Sequence, residues 1–419
     1  MQHPAGTLRT CGVTTSRRGI RSFRDIARSD VDVRRPIVTL FSGGLDSTYL
    51  LHRLVQAGAT DVHALSVGVG GDERPEQIQR IADRLGVRLH LVDGRSVFVE
   101  EFVKPAIAAH GVYLDTHPVS SSLSRPLIAR TAVQLARELD AGMILHTANR
   151  SQNTLRRLNG ALDQLGFQGY FGTPYDLDPV DREMKIKELG AIGLDEMAER
   201  SASGDSNLWC REFESGILDD PENHPVPESY YRWSANRGTP DTEELDVSFR
   251  AGVPVAVNGR ELPLADVIES LNRTVGAHGL GRYTGLEHLA GGTKVLEVRE
   301  MPAAWLLLAS RRHLETAVLD AEALREKIHI EQIWVREALE GRWFAGLRAA
   351  CQAFVTSLAE PVCGTVRWRL AGSRTSTVSI VADEPMYVRN REDWEQASIR
   401  EELSHLGGAS TEESGSGQW

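Results

Sequence analysis

The stretch from Ile37 to Tyr49 carries residue types whose spacing could hold a phosphate group. An apolar run from Ile37 to Phe41 leads into Ser42-Gly43-Gly44-Leu45-Asp46-Ser47, and a helical pattern follows at once. This order predicts a strand, a tight loop and the start of a helix. The glycines would let the backbone approach a bulky anion, and the free N–H groups of the new helix would point at it. The stretch therefore predicts a phosphate site; a simple Ser-Gly turn is the alternative.

Side chains of the same loop suit this chemistry. The hydroxyls of Ser42, Ser47 and Thr48 could donate hydrogen bonds to phosphate oxygens. An acid inside an anion site needs a further explanation: Asp46 could hold a Mg²⁺ ion that bridges the phosphates, or it could cap the helix. The loop does not match G-x-x-x-x-G-K-[ST], because no lysine follows Gly44.

The elements that would position this loop alternate between strand and helix over residues 37–147. Apolar runs of strand length are separated by helical patterns, which indicates a parallel sheet with helices on both faces. The predicted strands are IVTLF, VHALSV, RLHLV and MILHT, and the predicted helices are 48–57, 74–85, 96–109 and 124–139. Ligands of such sheets lie beyond the carboxyl ends of the strands. Three loops are expected at that edge: the Ser-Gly loop, residues 68–72 and residues 146–149.

The rest of the chain predicts a second domain of a different kind. A turn-like segment and a helical stretch at 180–200 lead into polar residues, which puts the domain boundary near residue 195. Beyond it, residues 245–264 alternate at period two around the hairpin dipeptide Asn258-Gly259. A helix, a strand, long helices and a final strand pair follow, at 264–277, 294–299, 303–358, 366–370 and 377–381.

These patterns divide the chain into four parts. Residues 1–35 and 406–419 are polar segments that we predict to be disordered. Residues 36–195 form the predicted domain that carries the phosphate loop, and residues 196–405 form a predicted α+β domain. The fold class is therefore α/β: a parallel, doubly wound domain followed by an α+β domain.

Composition argues against several classes of protein. The chain has 419 residues, of which 41% are hydrophobic, and its formal net charge of −11 argues against non-specific nucleic-acid binding. No apolar run approaches the roughly 18 residues that span a bilayer, and the N-terminus lacks a signal-peptide core, so we expect a cytoplasmic protein. Its cysteines, Cys11, Cys210, Cys351 and Cys363, are far apart, which argues against structural zinc and against a disulfide framework.

The phosphate loop resembles the SGGxDS loop of the ATP pyrophosphatases, enzymes that split ATP between its α and β phosphates. Later segments are more specific, and together with the loop they resemble the argininosuccinate synthase family over about residues 36–305. In the family's order, these segments are FVEEFVKPAI at 98–107, SSLSRPLIAR at 121–130, SNLWCREFESGILDDP at 206–221, GTPDTEELDVSFRAGVPVAVNG at 238–259 and AHGLGR at 277–282.

The resemblance implies an ATP-dependent carbon–nitrogen ligation, carried out by an ATP-pyrophosphatase (adenine nucleotide alpha hydrolase-like) domain followed by a synthetase domain. ATP would adenylate an oxygen of an amino-acid-like acceptor and release pyrophosphate, and an amine would then attack the activated carbon and release AMP. Mg²⁺ would offset charge on the pyrophosphate. The resemblance also implies a homo-oligomer, the family's tetramer, in which the second domain takes part.

The family's ATP-binding positions fall on the phosphate loop and on one residue of the next strand. They correspond to Leu40, Phe41, Ser42, Gly43, Gly44, Leu45, Asp46, Ser47 and Thr48, with Val67 contacting adenine through its backbone. Among them, Asp46, Ser42 and Ser47 are the predicted catalytic residues. Asp46 is also the predicted Mg²⁺ ligand.

Four positions of the acceptor pocket keep the residue with which the family binds citrulline. They are Ser122, Arg157, Ser203 and Glu287. Arg157 could hold a carboxylate in a bidentate fork, which suits an amino-acid substrate. Without the resemblance, Arg157 would more often be a solvated surface arginine.

The loop that holds aspartate in the family is changed. The family's HG-x-TGKGNDQVR is replaced by HTANRSQNTLRR at 146–157, without the glycines and the lysine. Asn153 is kept, but Asn149 stands at the Thr position and Thr154 at the Asp position. Because Thr154 cannot grip an ammonium group by charge, we expect the site to reject the old amine donor.

Three further acceptor positions differ from the family. His117 and Arg299 stand where the family has Tyr, and Glu212 stands where it has Ser. The opposite charges of Glu212 and Arg299 could pair with each other, or they could recognise a new zwitterionic or anionic substrate.

The leading hypothesis from the sequence is a ligase that keeps the ATP chemistry but joins a different amine, a different acceptor or both, in specialised biosynthesis. One alternative is a true argininosuccinate synthase, which joins citrulline and aspartate in arginine biosynthesis. A second is a non-catalytic ATP-binding regulatory homologue. A sulfur-inserting tRNA enzyme with the same loop is disfavoured by the scattered cysteines and the acidic charge.

Overall fold

The fold is taken from a computed structural model that describes residues 19–28, 30–195, 203–214, 216–224, 226–235, 241–289 and 292–409. Its first half is built on a parallel six-stranded sheet with the order β1-β8-β7-β2-β3-β4. A two-stranded antiparallel ribbon, β5-β6, lies outside this sheet. The eight strands are β1 (Gly19–Ile20), β2 (Ile37–Leu40), β3 (Val62–Gly68), β4 (Arg88–Asp93), β5 (Val112–Tyr113), β6 (His117–Pro118), β7 (Met143–Leu145) and β8 (Tyr170–Gly172).

Helices follow most strands of the parallel sheet, as the alternating pattern predicts. They are α1 (Phe23–Ile26), α2 (Leu45–Gln56), α3 (Pro75–Leu85), α4 (Arg95–Phe98), α5 (Lys104–Ala108), α6 (Ser121–Glu138), α7 (Thr154–Gln164) and α8 (Arg182–Gly190). A π-helical turn at Val99–Val103 joins α4 to α5. The predicted helix at 96–109 is therefore interrupted by one turn.

The central strands explain why the phosphate loop is held firmly. Ile37 and Val38 are fully buried in β2, which pairs with β3 on one side and β7 on the other. Because these three strands are adjacent and parallel, the loops that follow them lie at one edge of the sheet. The predicted parallel domain, with its three loops at a common edge, is confirmed.

The N-terminal segment differs from the prediction of a disordered region over residues 1–35. Gly19 and Ile20 pair with Phe171 and Gly172 as the edge of the sheet, and α1 follows with a capping box at Ser22. Ile20 is 1% exposed. Burial of the Ile20 side chain offsets part of the entropy cost of ordering this otherwise polar segment. Residues 1–18 lie outside the described part of the chain.

The second half contains two antiparallel sheets, with the orders β14-β15-β10-β9 and β13-β12-β11-β16-β17. Their strands are β9 (Ser203–Ser206), β10 (Arg211–Glu214), β11 (Glu243–Arg250), β12 (Val253–Val257), β13 (Arg260–Glu261), β14 (Arg282–His288), β15 (Lys294–Glu300), β16 (Gly364–Ala371) and β17 (Arg374–Ala382). The predicted turn at Asn258-Gly259 is present, with φ of 49° and 74° at the two residues.

Five α-helices lie among the described residues of this half, and they confirm the α+β pattern. They are α9 (Leu264–Ala277), α10 (Pro302–Val318), α11 (Ala321–Leu339), α12 (Gly346–Ser357) and α13 (Arg391–Ala409). The predicted disordered tail at 406–419 begins inside α13, which continues to Ala409, whereas residues 410–419 lie outside the described chain.

The main hydrophobic core contains residues from both sides of the predicted domain boundary near residue 195. Phe98, Phe102 and Leu123, from the first half, belong to the same buried cluster as Trp209 and Leu271 from the second. The segment from α4 to the start of α6 therefore packs against the second half of the chain. The predicted acceptor positions on that segment are thereby held close to β10 and β15.

Two expectations drawn from composition can be compared with the described residues. None of their helices combines the length and hydropathy that crossing a membrane requires. Cys210, Cys351 and Cys363 are free thiols, and Cys11 lies outside the described residues.

Candidate active site

The phosphate loop has the predicted strand, loop and helix geometry. β2 ends at Leu40 and α2 begins at Leu45, with Gly44 as an N-cap that offers no side-chain bond to the helix. The first N–H groups of α2 therefore remain without a side-chain cap, which suits an anion. Gly43 has φ of +68°, and a Cβ there would lie 2.9 Å from Cγ1 of Ile78. Glycine is thus required at this turn by both backbone conformation and space.

The loop hydroxyls bond to the loop itself. Ser42 Oγ accepts a hydrogen bond from Gly44 N at 3.3 Å, Ser47 Oγ donates to Gly44 O at 3.2 Å, and the two hydroxyls are 3.2 Å apart. Ser47 is 3% exposed and Thr48 is fully buried, with its hydroxyl unpartnered. The predicted hydrogen bond from Thr48 to a phosphate stays a prediction. Phe41 is 3% exposed and also points inward, so only its backbone can face a ligand.

Asp46 forms an ion pair that the sequence did not predict. Lys185 Nζ of α8 donates to Asp46 Oδ1 at 2.6 Å, and the ammonium group lies 5.4 Å from the ring centre of Tyr175. The Tyr175 hydroxyl donates to the backbone oxygen of Asp46 at 2.9 Å. The Lys185 side chain is 11% exposed and that of Asp46 is 39% exposed. A lysine and an aspartate therefore stand together at the start of α2.

The donor set at this position is compatible with Mg²⁺. No cluster of three acidic, histidine or cysteine ligands occurs among the described residues. Mg²⁺ at phosphate sites commonly uses only one or two carboxylates together with phosphate oxygens and water. The second oxygen of Asp46 could serve as such a ligand, because Lys185 occupies only Oδ1.

The loop after β3 is closed by one side chain and docks on the second half of the chain. Glu73 accepts hydrogen bonds from Val69 N at 2.7 Å and Gly71 N at 2.9 Å. A Cβ on Gly71 would lie 2.2 Å from the backbone oxygen of Ser206. Val67, the predicted adenine contact, lies in β3 opposite Val92 of β4.

A cluster of charges reinforces this docking. Asp72 pairs with Arg211 of β10 at 2.8 Å and with Arg232, and Arg211 also pairs with the buried Glu300 at 2.6 Å. These ion pairs therefore connect the loop after β3 of the parallel sheet to the antiparallel sheet that carries Glu212 and Arg299.

Arg157 is buried and already paired. Its Nη2 donates to Glu287 Oε1 at 3.0 Å, its Nη1 to Ser121 Oγ at 2.7 Å, and its Nε to the backbone oxygen of Leu339 at 3.2 Å. The guanidinium joins α6, α7, β14 and α11 at one point. The bidentate carboxylate clamp predicted for Arg157 stays a prediction: Ser121 and Glu287 each accept one hydrogen bond from a terminal nitrogen, and each of these nitrogens carries a second N–H.

The other retained positions, Ser122 and Ser203 of the predicted acceptor pocket and Asn153 of the predicted amine-donor loop, differ from one another. Ser122 is 1% exposed and its hydroxyl has no partner. Asn153 precedes α7 and donates from Nδ2 to the backbone oxygen of His288 at 3.0 Å. Ser203 begins β9, and its side chain lies outside the described part.

Positions on the changed loop make mostly local contacts. Asn149 Oδ1 accepts from the backbone N and hydroxyl of Ser151, at 3.1 and 2.6 Å. Gln152 reaches further and donates to Glu214 Oε1 at 2.9 Å. Thr154 is the first residue of α7 and is half-buried. These bonds shape the loop in the absence of the family's glycines.

Glu212 and Arg299 pair with each other, which is the first of the two predicted alternatives. They lie directly opposite in β10 and β15, and Arg299 contacts both Glu212 and Glu297. Arg299 is 2% exposed, and its Nε has no partner. Burial raises the pKa of Glu297 well above its usual range, and the nearby Glu287 carboxylate adds to this rise. Glu212 and Arg299, the two charged residues that differ from the family, thus form a buried network of ion pairs with Glu297.

His117 lies beside this network and is held between two aromatic rings. Its ring centre is 4.7 Å from that of Tyr283 and 5.6 Å from that of Tyr113. The Thr116 hydroxyl donates its proton to Tyr113 O at 2.6 Å, so His117 Nδ1, 2.9 Å away, must carry the proton of that contact. Burial, with a contribution from the charge of Arg299, lowers the pKa of His117 to about 2.

The environment of His117 predicts a loss of stability in acid. Folded His117 has a pKa of about 2. An unfolded histidine has a pKa of about 6.5, so below about pH 6.5 only the unfolded chain gains this proton. We expect a His117→Phe variant to lose less unfolding free energy than the wild type between pH 6.5 and 4, by up to about 1.4 kcal/mol per pH unit.

Urea denaturation across this pH range measures the effect, with the exposed His329→Phe as the control for removing a histidine elsewhere. Burial also lowers the pKa values of His110 and His146, to about 3 and about 4. These two histidines therefore lower the unfolding free energy in acid in the wild type and in both variants alike. Identical slopes for the wild type and His117→Phe would contradict the assignment.

The sequence did not single out three residues that contact or adjoin the predicted site residues. Lys185 lies in a predicted helix but shows no local pattern that points to Asp46. Ser121 was passed over for its neighbour Ser122, although both belong to the segment SSLSRPLIAR. Arg156 precedes Arg157 and lines a cavity beside it. Each becomes visible only when distant elements are brought together.

Comparisons with known proteins agree with the resemblance. The model of the N-terminal HUP domain of argininosuccinate synthase matches residues 36–167, and the model of the C-terminal domain matches residues 202–403. Argininosuccinate synthase of Rubrobacter xylanophilus is 30% identical over 377 residues, which cover 89% of this chain and 92% of that protein. Argininosuccinate synthase of Symbiobacterium thermophilum is 34% identical over 343 residues, 80% of this chain and 85% of that protein.

A third relative, argininosuccinate synthase of Dehalococcoides mccartyi, is 33% identical over 339 residues, 80% of this chain and 84% of that protein. The matches span both halves of the fold, including the phosphate loop and the sheet with Glu212 and Arg299. The chain therefore belongs to the argininosuccinate synthase family and is an ATP-dependent, AMP-forming carbon–nitrogen ligase.

Proposed function

We propose that this protein activates the ureido oxygen of citrulline with ATP and joins the activated carbon to the amine of aspartate. Family membership favours this substrate pair over the changed pair that the sequence suggested. The observation that carries the proposal is the bonding of Arg157 to Ser121 and Glu287. It gathers acceptor positions from both halves of the chain at the edge of the sheet that holds the phosphate loop.

In the proposed reaction, the ureido oxygen attacks the α-phosphorus of ATP and pyrophosphate leaves. The amine then attacks the ureido carbon, the carbon–oxygen bond to AMP breaks, and the amine gives up a proton. The turn at Gly43 and the uncapped start of α2 would bind the phosphates. Asp46, oriented by Lys185, would hold Mg²⁺, which offsets charge on the pyrophosphate when it is bound. The remaining residues act by positioning the reactants and excluding water.

Separate assays of the two half-reactions test the proposal. Purified protein with ATP, Mg²⁺ and citrulline should exchange labelled pyrophosphate into ATP. Addition of aspartate should yield argininosuccinate and AMP in equal amounts, as measured by mass spectrometry. Growth of an arginine-requiring strain that lacks its own synthase gives an independent readout. ATP binding without pyrophosphate release, whatever the acceptor, would instead indicate a non-catalytic homologue.

A second candidate is a ligase of the same kind with a different amine donor. Thr154 favours it, because a neutral hydroxyl replaces the carboxylate that would face the ammonium group of aspartate. Citrulline-dependent pyrophosphate exchange without argininosuccinate would point to this candidate. A panel of amines, scored by AMP release in the presence of citrulline, would then identify the donor.

Lys185 gives a prediction about ATP. We expect Lys185→Met to raise the KM for ATP roughly tenfold or more, because the variant removes a cation beside the phosphate loop and leaves Asp46 without its partner. Lys187→Met is the matched control, since Lys187 is exposed two residues further along α8. Steady-state kinetics with ATP as the varied substrate provides the measurement, and equal KM values for both variants would contradict the role.

We further propose that the protein is a cytoplasmic homo-oligomer in which α13 contributes to the contact between copies. Trp394, Ile399 and Leu403 of this helix are 59%, 54% and 62% exposed, so the helix carries apolar side chains without cover from the described residues. We expect Leu403→Asp to lower the molar mass measured by light scattering, with Glu395→Asp as the control. An unchanged mass in Leu403→Asp would remove α13 from the interface.

A further inference from the structure

The N-terminal segment formed by residues 19–28 lies at the edge of the parallel sheet that also carries the phosphate loop and the changed loop at 146–157. β1 is parallel to β8, and β8 is joined through β7 to β2, so all four strands end at the same edge. The two argininosuccinate synthase models match residues 36–167 and 202–403, and the segment lies outside both. It therefore brings residues from outside the matched domains to the edge that carries the predicted site.

Backbone and aromatic contacts hold this segment in place. Leu177 N donates to the backbone oxygen of Arg21 at 2.8 Å. Phe23 packs edge-on against Tyr175, with the ring centres 5.4 Å apart, and the Tyr175 hydroxyl donates to the backbone oxygen of Asp46 in the phosphate loop. Since none of these contacts uses the side chain of Arg21, that side chain is free to serve another purpose.

Two arginines from distant parts of the chain meet at Asp176. Arg21 Nε donates to Asp176 Oδ2 at 2.5 Å, and Arg150 Nε donates to Asp176 Oδ1 at 2.7 Å. The Asp176 side chain is 11% exposed, whereas those of Arg21 and Arg150 are 41% and 63% exposed. Burial acts to raise the pKa of Asp176, but the hydrogen bonds from the two arginines outweigh it, and the pKa lies below its usual range. A charged carboxylate is thus shared between the two guanidinium groups.

The link through Asp176 consists of residues that this chain adds to the family pattern. Arg150 stands where the family's HG-x-TGKGNDQVR has its second glycine, and a glycine could not form the ion pair. Arg21 precedes the first matched domain, and Asp176 lies between the two. Within the changed loop, Asn149 and Ser151 bond to each other, whereas Arg150 reaches out of the loop to Asp176. The ion pairs therefore support a loop that has lost the family's glycines.

We propose that the N-terminal segment positions the changed loop for the amine donor, with Arg21 acting through Asp176 on Arg150. The inference rests on the proposed function, in which this loop holds the donor. Arg21 and Asp176 are positioning residues and do not touch the donor. A loop that is already fixed before the donor arrives loses less conformational entropy on binding, which favours affinity.

Steady-state kinetics with aspartate as the varied substrate tests this role. For Arg21→Met we expect the KM for aspartate to rise roughly 3- to 10-fold, because the loop is no longer fixed in advance. Citrulline-dependent pyrophosphate exchange should stay at the wild-type rate, since that half-reaction does not use the donor. Arg21→Lys retains the charge and should recover most of the loss. Arg28→Met is the matched control, because Arg28 lies in the same segment but pairs with Asp25 and Asp30.

A double variant separates positioning of the loop from a general loosening of the fold. If Arg21 acts through Arg150, adding Arg21→Met to Arg150→Met should raise the KM for aspartate no further. Asp176→Asn alone should reproduce the KM of this double variant. Additive increases would mean that Arg21 acts by another route and would overturn the proposal. An unchanged KM for aspartate in Arg21→Met or in Arg150→Met would overturn it as well.

Hydrogen–deuterium exchange distinguishes failure of this inference from failure of the proposed function, because it requires no turnover. The amides of residues 147–153 should exchange faster in Arg21→Met and Asp176→Asn than in the wild type and Arg28→Met. If the wild type forms no argininosuccinate but shows this pattern, the proposed reaction is refuted and the positioning of the loop is supported. If the wild type forms argininosuccinate and Arg21→Met leaves both the exchange and the KM unchanged, the reaction stands and the inference is refuted.

Discussion

Asp46→Asn is expected to abolish pyrophosphate release while the protein stays folded. The substitution keeps the shape of the side chain but removes the charge that faces Lys185 and that would hold Mg²⁺. Loss of one preorganised electrostatic group at a reacting centre typically costs on the order of 10²–10³ in rate. We therefore expect turnover to fall by at least this factor, as measured by citrulline-dependent pyrophosphate release.

The fold should survive because the main anchor of this residue is its backbone. The Tyr175 hydroxyl bonds to the backbone oxygen of residue 46, and Asn leaves that bond intact. Since the Asp46 side chain is 39% exposed, water can partly replace it beside Lys185. We expect a loss of unfolding free energy of only about 1 kcal/mol.

A double variant decides what Asp46 does. If its only task is to neutralise Lys185, then Asp46→Asn combined with Lys185→Met should recover activity. If Asp46 faces the metal and the phosphates, the double variant stays inactive. Asp93→Asn, an exposed acid at the end of β4, is the matched control. Unchanged pyrophosphate release in Asp46→Asn would remove the residue from the catalytic set.

Arg299→Tyr is expected to produce the largest loss of stability. The change leaves Glu212 and Glu297, which are 7% and 6% exposed, without their shared cation. Breaking a buried ion pair from one side typically costs about 3–5 kcal/mol, because the remaining charge is neither solvated nor paired. Urea denaturation should show this loss as a lower midpoint with an unchanged slope.

Restoring the family's residues at both positions should recover part of the loss. The variant Glu212→Ser with Arg299→Tyr removes both charges, so we expect a coupling free energy of roughly 1–3 kcal/mol between the two sites. Arg250→Met, which breaks the exposed pair with Glu261, is the control and should cost about 0.5 kcal/mol or less. Additive effects at positions 212 and 299 would contradict the buried network.

The same double variant bears on substrate choice. If the ion pairs of Glu212 and Arg299 only replace the packing of the family's Ser and Tyr, kcat and KM for citrulline should change little once both charges are removed. If it excludes the family's acceptor from the wild-type pocket, the double variant should gain activity with citrulline. The two outcomes separate the main proposal from a changed substrate pair.

Much of the nucleotide half could be predicted from local sequence patterns. Apolar runs and helical periods gave the order of β2, α2, β3 and α3, and Gly43 indicated the turn between β2 and α2. The edge strand β1 and its neighbour β8 were missed, since two or three residues are too few to show a period. Their pairing depends on Gly172, where an added Cβ would lie 2.3 Å from the backbone oxygen of Ile20.

The candidate site was predictable only in part. The positions to examine followed from the resemblance, but the partners of the charged groups did not. Arg299 could equally have faced a substrate, and its pairing with Glu212 arises because β10 and β15 place the two residues opposite each other. The sequence suggested a carboxylate clamp at Arg157, but it did not show that Glu287 and Ser121 each accept a hydrogen bond from its terminal nitrogens in the folded protein.

The sequence by itself determined the phosphate loop, the alternation that builds a parallel sheet around it, and the list of substrate positions that depart from the family. These features depend on residues within a few turns of one another, where backbone preference and hydrophobic period act. Only the tertiary structure decided that Lys185 meets Asp46 and that Arg156 lines a cavity with Glu340. Such pairs join elements far apart in the chain, and their formation depends on how the elements pack, which no local pattern encodes.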